Sequence, residues 1–417
     1  MAKLSVKDLD VCGKRVLVRV DYNVPMEEKD GRMVINDDTR IKETLPTLEL
    51  LIEKGARIIL ASHLGRPNGK RDPSMSLRPV AARLADLIQR PVAFVDDCTG
   101  EKVEKTVNAL RPGDILLLEN VRYYAEEEAN DPAFAEKLAK VAEVYVNDAF
   151  GAAHRAHAST EGVARVVAKR GGQCAAGLLL ERELKFLGDE LEQPARPFVV
   201  ILGGAKVSDK IKVIDRLLER ADTILIGGAM TYTFRLVLGR KVGKSLVEPD
   251  RVGVAKTALE KAKKRNVQFL LPVDNIVATP VETGRLNKNG KPVIEFQNPR
   301  VNDTLDIPDT EEGVDIGPQT IKAYCELIPK AKTILWNGPM GVFEDKRFSE
   351  GTYAVARAVA GATQNGAKSI IGGGDTVKAL NLTGLTDQVT FVSTGGGASL
   401  EFLEGKVLPG VAALSDR

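Results

Sequence analysis

Two sets of residues in this 417-residue chain could do chemistry, and they fall in different halves. In the first half, short aliphatic runs lead into charged groups. Arg15–Val20 leads into Asp21-Tyr22-Asn23, and Arg57–Ala61 into Ser62-His63-Leu64-Gly65-Arg66. Asp114–Leu118 leads into Glu119-Asn120-Val121-Arg122, and Val144–Val146 into a segment carrying His154, Arg155 and His157. Arg40 opens the first long helical pattern, just after Asn36-Asp37-Asp38-Thr39. The guanidinium fork gives bidentate, permanently charged contacts to carboxylate and phosphate oxygens. Gathered at one rim, Arg40, His63, Arg66, Arg122 and Arg155 would suit a small, multiply charged anion such as a phosphorylated acid. Any one of these arginines could equally be a surface residue in its own ion pair; several at successive strand ends weaken that reading. Three histidines in all do not define a Ser-His-Asp arrangement.

In the second half the aliphatic runs lead into glycine. Phe198–Leu202 precedes Gly203-Gly204-Ala205-Lys206-Val207-Ser208-Asp209-Lys210, and Thr223–Ile226 precedes Gly227-Gly228. Thr333–Trp336 precedes Asn337-Gly338-Pro339-Met340-Gly341-Val342-Phe343-Glu344. Ser369–Ile371 precedes Gly372-Gly373-Gly374-Asp375-Thr376, and Thr390–Ser393 precedes Thr394-Gly395-Gly396-Gly397. Glycine lets backbone approach phosphates and bases closely, and a helix N-terminus offers free N–H groups to an anion. Five such turns on one rim suggest a nucleotide site, although any single one could be an ordinary tight turn. Lys206 and Lys210, four apart, would share a face if a helix opens there, and two ammonium groups beside a Gly-Gly turn suit a phosphoryl group in transfer. Asp375 is placed to hold a phosphate-bound Mg²⁺, which uses only one or two carboxylates. The named fingerprints are absent. Gly239–Ser245 (GRKVGKS) is one residue short of a P-loop, and Gly372–Val377 and Gly395–Leu400 fail the dinucleotide pattern at its last position.

Elements that alternate in this way predict the frame. Helical patterns at Arg40–Lys54, Leu77–Gln89, Glu101–Leu110 and Pro132–Ala142 separate the strands of the first half. Continuous apolar strands with intervening helices argue for parallel sheets covered on both faces, and two such series for two doubly wound, Rossmann-like lobes. In such sheets ligands bind beyond the carboxyl ends of the strands. The expected division is an N-terminal lobe over 1–177, a connecting helix and linker over 178–197 that ends at the prolines of EQPARP, and a C-terminal lobe over 198–400. The segment Thr279–Gly313 reads as strands and loops decorating the second lobe.

Composition narrows the class. Hydrophobic residues make up 43% and charged residues 28%, which excludes a collagen-like or wholly disordered chain. Net charge is +2, with 29 basic and 31 acidic residues in 1–190 against 30 and 26 in 191–417. Neither half is a basic module, so neither nucleic acid nor a membrane surface is expected as a partner. The cysteines at 12, 98, 174 and 325 are too dispersed for a metal knuckle or a disulfide framework. With no apolar signal core at the start and no run near the ~20 residues of a membrane span, a cytoplasmic protein is expected.

Taken together, the segments resemble the phosphoglycerate kinase family. RVDYNVP (Arg19–Pro25), SHLGRP (Ser62–Pro67), ENVR (Glu119–Arg122), AHRAHAS (Ala153–Ser159), GGAKVSDKI (Gly203–Ile211), WNGPMGVFE (Trp336–Glu344), GGGDT (Gly372–Thr376) and STGGGAS (Ser393–Ser399) look like that family's motifs in that family's order. Departures are slight: Tyr22 where Phe is usual, and Ala152 where Thr is frequent. The resemblance implies a monomer that moves a phosphoryl group between ATP/ADP, with Mg²⁺, and 3-phosphoglycerate/1,3-bisphosphoglycerate. It implies acceptor binding through Asp21, Asn23, Arg40, His63, Arg66, Arg122 and Arg155. It implies nucleotide binding through Lys206, Lys210, Gly228, Asn337, Glu344, Gly373, Gly374, Asp375 and Thr376. Contacts to the transferring group fall to Arg40, Lys206, Lys210 and the amides around Gly396. The last segment, 401–417, is expected to return to the first lobe, and the two lobes to close by hinge bending during transfer. The rival reading is another acyl-phosphate-forming kinase with a different carboxylate acceptor.

Overall fold

The computed structural model describes residues 3–287 and 290–417. The chain separates into two compact units: Met1–Lys185 with Gly397–Phe402 and Lys406–Arg417, and Phe186–Gly396 with Leu403–Gly405.

The first unit holds a six-stranded parallel sheet. In spatial order its strands are Val92–Val95, Ile115–Leu118, Arg57–Ala61, Arg15–Val20, Val144–Asp148 and Cys174–Ala176. The central strands are mostly apolar and buried beyond their first residues, as a sheet covered on both faces requires. One face packs Val16, Val18, Ile58, Leu60, Leu117 and Val146 against Leu48, Leu51, Val80 and Leu84 of two helices. Each such side chain contributes about 1.5–3 kcal/mol on burial. The helix expected over Arg40–Lys54 is two pieces, Thr39–Lys42 and Leu45–Glu53, with Pro46 in the first turn of the second. Proline lacks the N–H that an uninterrupted helix would need there.

The second unit holds another six-stranded parallel sheet, ordered Gln268–Leu270, Thr223–Ile226, Phe198–Leu202, Thr333–Asn337, Lys368–Gly372, Phe391–Val392. In chain order this is 3-2-1-4-5-6, the doubly wound arrangement whose direction switches between Phe198–Leu202 and Thr333–Asn337. Ile201, Leu225, Ile334, Trp336 and Ile371 pack against Tyr324, Val355 and Val359 from the covering helices. The Thr279–Gly313 region belongs to a three-stranded antiparallel sheet of Asn275–Leu286, Pro292–Asn302 and Glu312–Ile316.

The expected connecting helix is helical over Leu178–Leu184, widens into a π turn at Lys185–Asp189 and ends at Glu190–Glu192. Its first N–H groups are held in the first unit, Leu178 N donating to Thr47 Oγ1 and Leu179 N to Asp148 Oδ1, each at 2.9 Å. At the other end of the chain, Leu4 N donates to Ser415 O, Ser415 N to Cys174 O and Gly410 N to Ala153 O. Residues 397–400, assigned from sequence to the C-terminal lobe, pack instead with the first unit, where Phe150 and Phe402 meet edge to face.

Candidate active site

In the first unit the loops after the strand ends bring Asp21, Arg40, His63 and Arg122 together. Asp21 is buried and pairs with Arg40 Nη1 at 2.5 Å. Burial works to raise its carboxyl, but the charge of Arg40 beside it, with Arg19 behind, holds it below the usual carboxylate range. Asn23 accepts from Gly65 N at 2.9 Å, which ties the loop after the first strand to the loop after the second. Arg122 is buried and donates to Gly65 O at 3.0 Å; its Nε is buried 3.3 Å from Glu128 Oε1, an ion pair without hydrogen-bond geometry.

Beneath them runs a buried network that sequence reasoning did not single out. Arg19 is fully buried within its strand; it donates to Ser159 Oγ at 2.7 Å, to the Val20 carbonyl, and to His63 Nδ1 at 3.1 Å. Ser159 in turn bonds both carboxylate oxygens of buried Glu127. The available signal was the second arginine of RVLVRV, set among aliphatic residues inside the run. A guanidinium has no acceptor, so Nδ1 of His63 must accept, and the neutral ring carries its proton on Nε2. Burial pushes the His63 pKa well below the ordinary value; Asp21 opposes this and Arg19, Arg122 and Arg40 add to it. Burial likewise takes His157 down to about 4, helped by Arg122, Arg19 and Arg155. At neutral pH the positive charge of this rim is therefore carried by its arginines.

Arg155 is exposed, its Nε donating to His154 Nε2 at 3.1 Å, and its charge reaches Arg122 and His157. Arg66 is exposed after Gly65, and no hydrogen bond or ion pair among the described residues joins it to the cluster.

In the second unit the glycine turns serve two ends. At the direction switch, the loops after Phe198–Leu202 and Thr333–Asn337 interlock. Gly203 N donates to Asn337 O, Gly204 N to Pro339 O, Gly228 N to Met340 O and Met230 N to Gly204 O. A Cβ on Gly203 would lie 1.9 Å from Pro339 O, one on Gly338 2.2 Å from Gly203 O, and one on Gly228 2.6 Å from Gly204 N. Gly228, expected as a nucleotide contact, is thus glycine first because backbone crosses backbone there. Gly374, at the start of the helix Gly374–Thr383, faces open space.

The lysine pair is a correction. No helix holds Lys206 and Lys210 on a common face: both sit in the turn before the helix Ile211–Leu217, Lys206 exposed and Lys210 buried. Ser208 in this turn is fixed by both carboxylate oxygens of Glu248. Lys210 Nζ donates to Asn337 Oδ1, which leaves Asn337 Nδ2 buried without a partner. Burial lowers Lys210 to about 8, with Asp209 and Asp375 pulling it back up. Thr376 is buried and its hydroxyl accepts from Gly338 N at 2.6 Å, so it also secures the interlocked loops. A buried ammonium, an unpaired amide donor and a helix start are together groups that suit a phosphate.

Beside this end lies a cavity of about 260 Å³. Its apolar wall includes Tyr232, Leu246, Met340, Val342 and Phe343; Gly204, Gly228 and Gly313 form edges, and Glu344 and Asp375 stand at its rim. Met340, Val342 and Phe343 belong to the WNGPMGVFE segment, whereas Tyr232 and Leu246 carried no sequence signal, because they come from a helix and a distant loop. Gly396 has a left-handed φ of +53° and precedes the helix Gly397–Leu403; the Gly395 N–H beside it is taken by Ser393 Oγ. Among the described residues no cluster of three or more His, Cys, Asp and Glu could hold a metal. Asp375, exposed in the first turn of its helix, is a carboxylate whose charge reaches Lys210, a donor set that fits Mg²⁺ carried mainly by nucleotide phosphates. The P-loop-like segment is no cradle: Lys241 N is held by Asp306, Lys244 N by Glu311 O and Ser245 N by Val242 O.

Two doubly wound units, one with an arginine-lined rim and one with a glycine-edged cavity beside a buried lysine, define a phosphotransferase acting on an anionic acceptor. The comparisons with known proteins give the family. The phosphoglycerate kinase family model matches residues 6–406. The phosphoglycerate kinases of Acidobacterium capsulatum and Koribacter versatilis are 54% and 52% identical, each alignment covering 100% of both chains. The solved phosphoglycerate kinase structure from Coxiella burnetii superposes with a TM-score of 0.82 at 41% identity, covering 99% of this chain and 98% of that one. The chain belongs to the phosphoglycerate kinase family. Among the described residues no helix is long and apolar enough to cross a membrane.

Proposed function

We propose that the chain catalyses reversible phosphoryl transfer from Mg-ATP to the carboxylate of 3-phosphoglycerate, giving 1,3-bisphosphoglycerate and ADP, as a cytoplasmic monomer. The observation that carries this reading is the division of labour between the units: permanent positive charge in one, a phosphate-binding helix start beside an apolar cavity in the other.

The acceptor carboxylate is ionised at neutral pH, since carboxyl pKa values lie near 4, so no general base is required. Asp21 holds Arg40 by its ion pair and leaves the other guanidinium N–H groups to face the acceptor. Arg122 and Arg155, with Arg66 from the loop edge, take the phosphate of the acceptor. Asn23 braces the Gly65 turn, and neutral His63 donates from Nε2. On the other unit Lys206 and Lys210 approach the transferring phosphoryl group, with Asn337, Gly373, Gly374 and Thr376 shaping the phosphate end and Glu344 taking ribose hydroxyls. Gly396 offers backbone N–H to the group in transfer. Mg²⁺, when bound through Asp375 and the nucleotide, would neutralise phosphate charge. Catalysis is then positioning plus electrostatic stabilisation, with hinge bending bringing together a donor and an acceptor held on different units.

The test is the initial rate of purified protein with Mg-ATP and 3-phosphoglycerate, coupled to reduction of the acyl phosphate formed. A rate that needs both substrates and Mg²⁺ is expected. A folded protein with no rate would remove the proposal.

A further inference from the structure

The cavity wall of the second unit carries four carboxylates and no cation: Glu312, Asp315, Glu344 and Asp375. Three have work to do. Asp315 Oδ1 accepts from Ile316 N at 2.9 Å and Oδ2 from Gly351 N at 2.8 Å, so it is spent inside the fold. Glu344 is exposed at the rim, 3.9 Å from Lys378. Asp375 stands at the phosphate end. Glu312 opens the strand Glu312–Ile316, is half-buried, and among the described residues has neither an ion pair nor a side-chain hydrogen bond. Burial alone raises its pKa.

A carboxylate set in an apolar wall costs free energy unless a donor reaches it. The rest of the wall is suited to a flat ring: Leu246, Met340, Val342 and Phe343 provide apolar surface. Nearby polar atoms make no hydrogen bond to Glu312. Tyr232 OH accepts from Asn275 Nδ2 at 3.1 Å while its own O–H donates to no described residue, and the Oδ1 of Asn275 is a buried acceptor without a partner. Two acceptors at this end of the cavity, Glu312 and Asn275 Oδ1, therefore have no donor bonded to them. A purine with an exocyclic amino group supplies the missing donor, whereas an unsubstituted purine supplies none.

We propose that Glu312 is the base-selecting residue of this cavity, its carboxylate accepting an N–H from an exocyclic amino group of a purine nucleotide. The inference rests on the proposed nucleotide binding by the second unit and adds that the base lies in this cavity.

The experiment measures kcat/KM with ATP, purine riboside 5′-triphosphate, GTP and ITP. The first pair differ by the 6-amino group, the second by the 2-amino group. A hydrogen bond to a charged group predicts a preference of roughly ten- to a hundredfold for the amino member of at least one pair, carried by KM. Glu312→Ala should reduce that preference to about twofold or less, and Glu312→Gln, which keeps an acceptor oxygen and the volume, should retain part of it. The pair that responds identifies the amino group read. If neither ratio changes in Glu312→Ala, the proposal is overturned. Leu246→Trp separates this from failure of the underlying reading: filling the cavity should raise KM for all four nucleotides together. If Leu246→Trp leaves every KM unchanged, the base does not enter this cavity and both readings fall.

Discussion

On the proposed reading, the two units solve the problem of binding a polyanion by different means. The first builds its rim from long charged side chains and fixes them with other side chains: Asp21 on Arg40, Glu127 through Ser159 on Arg19, Arg19 on His63. The second builds its rim from backbone, with glycines allowing loop to cross loop and a single buried ammonium, Lys210, at the phosphate end. A rim of side chains should fail one function at a time. A rim of interlocked backbone should fail as structure. Substitutions can separate these outcomes.

The largest effect is expected at Arg40. Arg40→Ala should lower kcat by about 10²–10³, the usual cost of removing one preorganised donor to a transition state, with a smaller change in KM for 3-phosphoglycerate. The fold should persist, because Arg40 is partly exposed and lies on a short helix. A near-normal kcat would take Arg40 out of the transfer step. Arg122→Ala should instead act mainly on KM for the phosphoglycerate.

The matching change in the second unit is Gly338→Ala. It places a methyl 2.2 Å from Gly203 O at a φ of +106°, and should lose about 3 kcal/mol or more of stability in chemical denaturation. Gly374→Ala meets nothing within 4 Å and should change stability by less than about 0.5 kcal/mol while raising KM for ATP. If both variants behaved alike, the distinction between glycines that serve the fold and glycines that serve the ligand would be lost.

This distinction marks where sequence stops being readable. The strands were visible because a buried parallel strand must be continuously apolar, and the residues at their ends followed from that. The glycines were visible as a class, but which atom each one makes room for depends on a loop far away in the chain: Gly203 on Pro339, Gly228 on Gly204. Lys206 and Lys210 were read on a helix, whereas the turn at Ser208, fixed by Glu248, delays the helix to Ile211. Arg19 was hidden by its place inside a strand. Glu312 could not be read at all, since its meaning comes from a cavity assembled out of distant segments.

A smaller effect should appear in the pH profile and belongs to the second unit. The Lys210 pKa is lowered to about 8 by burial, so its ammonium is present below that pH and lost above it. The kcat/KM for ATP should fall as pH rises through about 8, with the same limb displaced upward in kcat, because bound phosphate favours the charged form. Lys210→Arg does not titrate in this range and should flatten the limb even if its overall rate is lower. A limb unchanged in Lys210→Arg would assign it to another group.

The smallest effect, and the finest test of the first unit, concerns His63. A rim whose charge came from histidine would strengthen its hold on anions as pH falls from about 7.5 to 6, the range in which an unperturbed imidazole takes up its proton. Here burial and three neighbouring arginines keep His63 neutral, and Arg19 fixes its proton on Nε2. Nitrogen chemical shifts of the His63 ring should therefore report the Nε2–H tautomer with no titration across that interval. Arg19→Met removes both the donor to Nδ1 and one of the opposing charges. Titration should then move up toward the ordinary histidine value, with a rise of a few-fold in KM for 3-phosphoglycerate. A His63 that already titrated near its ordinary value with Arg19 in place would mean that the rim draws charge from histidine after all, and the contrast with the second unit would rest on its arginines alone.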